Sequence, residues 1–175
     1  MLIHTCCAPC LIYPAEQLQA QGHVITSFFY NPNIHPYSEY KLRLDALVHR
    51  CNGANTPVII EEYDYPEYFR RVAGHEDERC AVCYRLRLTR TAQAAADGGY
   101  DAFTTSLLVS PYQDHAELKR AGEEAAAEYG VTFHYADYRP GYREGRAKAR
   151  EMGLYSQKYC GCVFSEEERF VKKQS

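Results

Sequence analysis

Short apolar runs and longer amphipathic ones alternate along the chain. Residues 2–5, 23–30, 58–63, 102–109 and 131–135 are apolar, β-branched or aromatic, and Asn31-Pro32-Asn33 closes the second run with turn-forming residues. Such runs of four to eight residues predict strands. Helices are predicted over 14–21, 39–52, 80–96 and 142–152, the second from Tyr40, Leu44, Leu47, Val48 and Cys51 falling on one face. Asp77 is the expected N-cap of the third, which places Cys80 and Cys83 in its opening turns. Ser110-Pro111-Tyr112-Gln113 and Ser165-Glu166-Glu167-Glu168 match capping boxes, predicting a helix from about 111 to 129 and a terminal one from 165.

Strands alternating with helices predict an α/β fold, a five-stranded, mostly parallel sheet with helices on both faces. No linker, repeat or low-complexity stretch interrupts the 175 residues, so one domain over 1–175 is expected, ending in a Cys-Gly-Cys segment and the terminal helix. Ligands of such folds bind beyond the carboxyl ends of the strands. If the first and fourth strands are neighbours, the segment after residue 5 and the segment from Thr104 to Gln113 meet at that site.

Composition narrows the function classes. A chain 46% hydrophobic and 25% charged is globular, and 20 Lys plus Arg against 23 Asp plus Glu exclude a uniformly basic nucleic-acid binder. No apolar run approaches the roughly 20 residues that span a bilayer, so no membrane partner is expected and the chain reads as cytoplasmic. Thiols stay reduced in that compartment, and eight cysteines there point to metal ligation or catalysis before disulfides.

Seven of the eight cysteines form three groups: Cys6, Cys7 and Cys10 in HTCCAPC; Cys80 and Cys83; Cys160 and Cys162. Core packing does not call for such clustering, whereas soft metals do. Cys51, alone on an apolar helix face, reads as a small core residue. The spacing is not that of a familiar four-ligand zinc site, and seven thiolates exceed the four of a [4Fe–4S] cluster, leaving three for a second metal or a redox disulfide.

Polar residues add candidates around these thiols. Asn31, Asn33 and His35 follow a predicted strand, and Asp114 and His115 open the helix after the fourth, where capping is the expected role of Asp114. Four arginines between Arg79 and Arg90 face no acid, and Arg139, Arg143, Arg146, Lys148 and Arg150 oppose only Glu144, so two basic stripes suit a phosphate backbone. Sixteen tyrosines offer rings for stacking on unpaired bases.

HTCCAPC, YNPNIHPYSEY, RCAVCYRLRL, FTTSLLVSPYQ and YCGCVFS, in this order over nearly the whole chain, resemble the QueH family of epoxyqueuosine reductases. The resemblance implies a HUP-like (adenine nucleotide alpha hydrolase-like) fold, reductive removal of the epoxide oxygen from epoxyqueuosine at the tRNA wobble position, and an electron donor it does not identify. It implies a [4Fe–4S] cluster on Cys6, Cys80, Cys83 and Cys160, and a separate metal, iron before zinc, on Cys7, Cys10 and Cys162, these three being the catalytic set. Asn31, Asn33, His35, Tyr112, Gln113 and Arg143 are the expected substrate-binding residues. Some relatives carry Asp at the position of Cys10, so sulfur here replaces an oxygen ligand and softens the set. Two other classes stay open: a zinc-stabilised RNA-binding module and a metal-free thiol–disulfide oxidoreductase.

Overall fold

In the computed structural model, which describes residues 1–171, five strands build one sheet: β1 (Leu2–His4), β2 (Thr26–Phe29), β3 (Val58–Ile60), β4 (Ala102–Thr105) and β5 (Thr132–Phe133). Their order is β3-β2-β1-β4-β5 and every neighbouring pair is parallel. The expectation for residues 172–175 lies outside the described residues.

Alternation along the strands sorts side chains to two cores. Ile3 and Phe29 pack with Leu11, Ala15 and Leu18 of α1 (Ala8–Ala20) and with Tyr40, Leu47 and Cys51 of α2 (Tyr37–Gly53). Leu2, Phe28 and Phe103 point the other way, onto Leu88, Ala92 and Ala95 of α4 (Arg79–Asp97) and Leu118 and Ala121 of α5 (His115–Tyr129). Each fully buried Phe contributes about 1.5–3 kcal/mol. Cys51 is wholly buried in the first core, as its isolated position in the sequence suggests.

Three further helices complete the chain: α3 (Tyr65–Val72), α6 (Tyr142–Glu151), which packs on α1, and α7 (Val163–Phe170). Among the described residues no helix is long and apolar enough to cross a membrane.

Several boundaries differ from the sequence reading. α1 begins at Ala8, with Pro9 in its first turn, and runs through Pro14. Burial of Leu11, Ile12, Ala15 and Leu18 outweighs the main-chain bond that Pro14 removes. α3 has no counterpart in that reading, although Asp64 accepts the Glu67 amide at 3.2 Å and Pro66 sits in the first turn. The strand expected to reach Val109 stops at Thr105 and tightens into a 3-10 turn, Ser106–Val109. α5 is capped by Asp114, whose carboxylate accepts the Glu117 amide at 3.0 Å, not by Ser110. Cys162 rather than Ser165 caps α7, and Glu78 rather than Asp77 precedes α4.

β1 and β4 are neighbours, with His4 opposite Thr105. Chain direction across the sheet reverses there, which opens a crevice beyond their carboxyl ends. The first thiols and Ser106 leave the sheet together at that crevice.

Candidate metal centre and its cavity

Backbone geometry brings the first three thiols together. Cys6 and Cys7 leave β1, and the Cys6 amide donates to Ser106 Oγ at 3.2 Å, tying the loop to the end of β4. Cys7 is the N-cap of α1 and Cys10 lies in its first turn, so the two sulfurs stand 2.7 Å apart, with Cys6 Sγ 3.8 Å from Cys7. All three sulfurs lie within 4.8 Å of one another and all three residues are buried. Among the described residues no His, Asp or Glu joins this group, and the Gln157 side-chain amide donates to Cys7 Sγ at 3.0 Å and Cys10 Sγ at 3.4 Å.

The remaining four thiols come from two segments. Cys80 and Cys83 occupy the first two turns of α4, and Cys162 Sγ caps α7 by accepting the Ser165 amide at 3.4 Å. Every cysteine group therefore sits at a helix N-terminus, where free amides and the helix dipole favour thiolate. Gly161, between Cys160 and Cys162, has φ +145°, a conformation that side chains resist.

The thiols act on one another. Burial pushes Cys83 up to about 12, and the neighbouring Cys160, Cys162 and Cys80 raise it further against the pull of Arg87. Cys80 and Cys160 keep an exposed face, yet the protein around them also raises both, with Cys160 and Cys162 acting on Cys80 and Cys162 and Cys6 on Cys160. Within the first group, hydrogen bonding from Cys10 and Cys7 holds Cys6 below the usual thiol range, and burial holds Cys7 above it. Closely set thiols that cannot all ionise alone are a donor set for soft cations, which displace the protons on binding.

Two buried cations stand behind this set. Arg43 is 1% exposed; its Nε binds Glu39 at 2.7 Å, while Nη1 and Nη2 donate to the carbonyls of Cys160 at 2.7 Å and Tyr159 at 3.1 Å. Arg87 is equally buried and donates from Nε to the Cys83 carbonyl at 3.2 Å. Of the stripe between Arg79 and Arg90, the outer members pair with acids: Arg79 with Glu168, Arg85 with Glu117 and Arg90 with Glu61. That stripe is thus a set of ion pairs around a buried arginine, which corrects its reading as a surface for phosphates.

A cavity of about 900 Å³ opens over the thiols and is lined by Cys6, Cys10 and Cys160. Tyr112, Gln113 and Arg143 line it too, as do Tyr142, Gln157 and Tyr159. Gln113 links two elements of the site, accepting from Tyr84 Oη at 3.0 Å and donating to Cys160 Sγ at 3.7 Å. Tyr112, 81% exposed, meets Tyr142 edge to face. The mouth is basic: Arg146 and Arg150 of α6 continue the line of Arg143, with Lys158 and Arg169 nearby. None of these five cations has an acid partner among the described residues, whereas Lys148, on another face of α6, is held by Glu16 and Glu144.

Asn31, Asn33 and His35 do not line this cavity. Asn31 donates to the Thr5 carbonyl at 2.9 Å beneath the thiol loop, and the His35 ring stacks on Phe69 with centroids 4.7 Å apart. Both His35 ring nitrogens and both asparagine carbonyl oxygens are buried without a hydrogen-bond partner. Gln157 and Arg43 escaped the sequence reading because no motif flags them. Their signal is spatial, since each meets the thiol segments from more than a hundred residues away.

The family model described as "Epoxyqueuosine reductase QueH" matches residues 1–168. The protein of that name from Dehalococcoides mccartyi is 42% identical, the match covering all of this chain and 97% of the relative. The one from Thermotoga maritima is 37% identical over 98% of this chain and 93% of its own. In fold, the chain is similar to the crystal structure of a "predicted subunit of tRNA methyltransferase" from Methanocaldococcus jannaschii, with a TM-score of 0.56 at 13% identity, covering 86% of this chain and 76% of that one. Likeness at that identity bears on architecture alone and agrees with the five-stranded parallel α/β sheet expected from sequence. By the family match and these relatives together, the chain belongs to the epoxyqueuosine reductase QueH family.

Proposed function

We propose that the chain reduces epoxyqueuosine to queuosine in tRNA, with a [4Fe–4S] cluster and a single iron held by its seven clustered cysteines. The observation that carries this reading is the cavity itself, in which buried thiols lie inside a ring of unpaired cations. The buried thiols suit iron and sulfide; the exposed arginines and lysine suit an RNA backbone. Removing the epoxide oxygen takes two electrons and two protons, breaks both C–O bonds and releases water. When bound, the metals supply those electrons singly and a Lewis-acidic position for oxygen.

The chain's own residues position the substrate. Tyr112 and Tyr142 offer faces for a base drawn out of the anticodon loop, Gln113 and Gln157 offer amides beside the sulfurs, and Arg143 offers a guanidinium for phosphate. Cys83, Cys80, Cys160 and Cys6 hold the cluster in this reading. Cys6 Sγ stands apart from the close pair of Cys7 and Cys10, 3.8 Å from Cys7 against 2.7 Å between those two, which supports its assignment. Cys7, Cys10 and Cys162 hold the single iron. The tight grouping of Cys6 with Cys7 and Cys10 favours a second division, in which Cys6 and Cys162 exchange roles.

The test is anaerobic purification of wild type and Cys83→Ala, with iron, sulfide and zinc analysis and turnover of epoxyqueuosine tRNA. Visible cluster absorbance and activity in wild type, both lost in the variant, are expected. Colourless active-site zinc with tRNA binding but no turnover would instead identify an RNA-binding module. Turnover by metal-free protein would identify a thiol–disulfide enzyme.

A further inference from the structure

We propose that Arg87 is the buried counter-cation of the metal-loaded cysteine group: it lies one helical turn beyond Cys83 with no carboxylate to answer its charge, and the thiolates that hold the metal answer it. The inference rests on the metallocluster reading above and adds to it a residue that touches no substrate.

Arg87 lies one turn beyond Cys83 on α4, 1% exposed, with its Nε committed to the Cys83 carbonyl. Among the described residues no carboxylate stands within ion-pair distance of it, in contrast to every other arginine of that helix and to Arg43, which has Glu39 at 2.7 Å. A guanidinium does not lose its proton in a protein, so this charge persists wherever it is buried. Removal from water is strongly unfavourable unless an anion stands near. Cys83 stands one turn back on the same face of α4, its carbonyl bound by Arg87, and the charges of Cys83, Cys160 and Cys6, followed by Tyr84, favour the guanidinium.

The arrangement has a consequence for the loaded site. With metal, four thiolates around a cluster form a net anion that gains another negative charge on reduction. A fixed cation beside it favours the reduced state and moves the potential upward. Arg87 is therefore a positioning and electrostatic residue that favours binding of metal by the thiolates and sets how readily the cluster accepts an electron.

Arg87→Met, which keeps the length and removes the charge, and Arg87→Lys, which keeps the charge, separate these effects from packing. Cadmium serves as probe for the thiolates in metal-free protein, read by its sulfur charge-transfer absorbance against a competing chelator. The expected result is at least a tenfold loss of cadmium affinity in Arg87→Met and less than a threefold loss in Arg87→Lys. In reconstituted protein, Arg87→Met is expected to shift the cluster midpoint downward by about 59 mV or more, a tenfold change for one electron. Equal cadmium affinity in all three proteins, or equal losses in Met and Lys, would overturn the inference. A wild type that binds cadmium with the predicted charge dependence but forms no redox-active cluster would overturn the cluster reading and leave the counter-cation standing.

Discussion

The guanidinium of Arg43 holds the main chain of Cys160, donating to its carbonyl at 2.7 Å across 117 positions of sequence. The same side chain takes the Tyr159 carbonyl and lies over the Tyr159 ring, with its charge centre 5.6 Å from the centroid. One buried side chain thus fixes the segment that delivers two of the seven clustered thiols. The pair with Glu39 offsets the desolvation that this position imposes, and Tyr155 Oη donates to the second Glu39 oxygen.

Arg43→Met leaves Glu39 buried without its cation and frees both carbonyls. A loss of about 3–5 kcal/mol is expected in urea unfolding, the range for breaking a buried pair from one side. Reconstituted Arg43→Met is also expected to hold less iron than wild type, because Cys160 and Cys162 lose their anchor. Unchanged stability together with full iron loading would show that the segment is fixed by its other contacts.

Cys6 and Cys162 decide the division of ligands. If Cys6 belongs to the cluster, Cys6→Ala loses cluster absorbance while Cys162→Ala keeps it and loses one iron per chain. The exchanged division predicts the opposite pair of results. Mössbauer spectra and iron-to-sulfide ratios of both anaerobically reconstituted variants distinguish the two outcomes. Loss of both metals in both variants would mean that the sites share ligands more closely than either division allows.

The fold was legible where local pattern and tertiary packing agree. The five apolar runs became the five strands, and the neighbouring of β1 and β4 brought the thiol loop to Ser106 as expected. Boundaries failed where one local rule was given too much weight. Pro14 suggested a helix start, but an apolar face from Leu11 to Leu18 carries the helix through it. α3 was missed because YPEYFRRV is short and charged, though Asp64, Pro66 and Glu67 form a start signal. The site was legible in its cysteines, whose type and clustering speak for themselves. It was illegible in Arg43 and Arg87, because a basic residue on a helix looks the same in sequence whether it faces water or sulfur, and in Gln157, a loop residue that only the fold brings to Cys7 and Cys10. Only burial separates Arg87 from the ion-paired Arg85 and Arg90 beside it.

Arg143, Arg146 and Arg150 recur at helical spacing along the cavity mouth and have no acid partners among the described residues. In a chain of net charge −3 such a patch is a local feature, and RNA phosphates are its natural counterions. Replacing all three by Gln is expected to weaken tRNA binding and to flatten its salt dependence by roughly 2 in the log–log slope, at about 0.7 per single-strand phosphate contact. Lys148→Gln is the control, because Lys148 is engaged by Glu16 and Glu144 and is expected to leave the slope unchanged. Equal effects of the two changes would locate the RNA on another face.

Gly161 separates Cys160 from Cys162 with φ +145°, and a Cβ there would come 3.0 Å from Ile34 Cγ1 and 3.3 Å from Arg43 Nη1. Ala at this position is strained by its backbone angle and presses on the arginine that anchors Cys160. Gly161→Ala is therefore expected to cost about 1–3 kcal/mol and to reduce iron loading together. Gly53, at the end of α2, has open space around its added Cβ and no positive φ. Gly53→Ala is expected to leave stability within about 1 kcal/mol of wild type or to raise it. Urea unfolding and iron content of both proteins check the contrast. A Gly161→Ala protein as stable and as fully loaded as Gly53→Ala would show that the Cys-Gly-Cys turn relaxes freely, and that Arg43 does not need its present fit to hold Cys160.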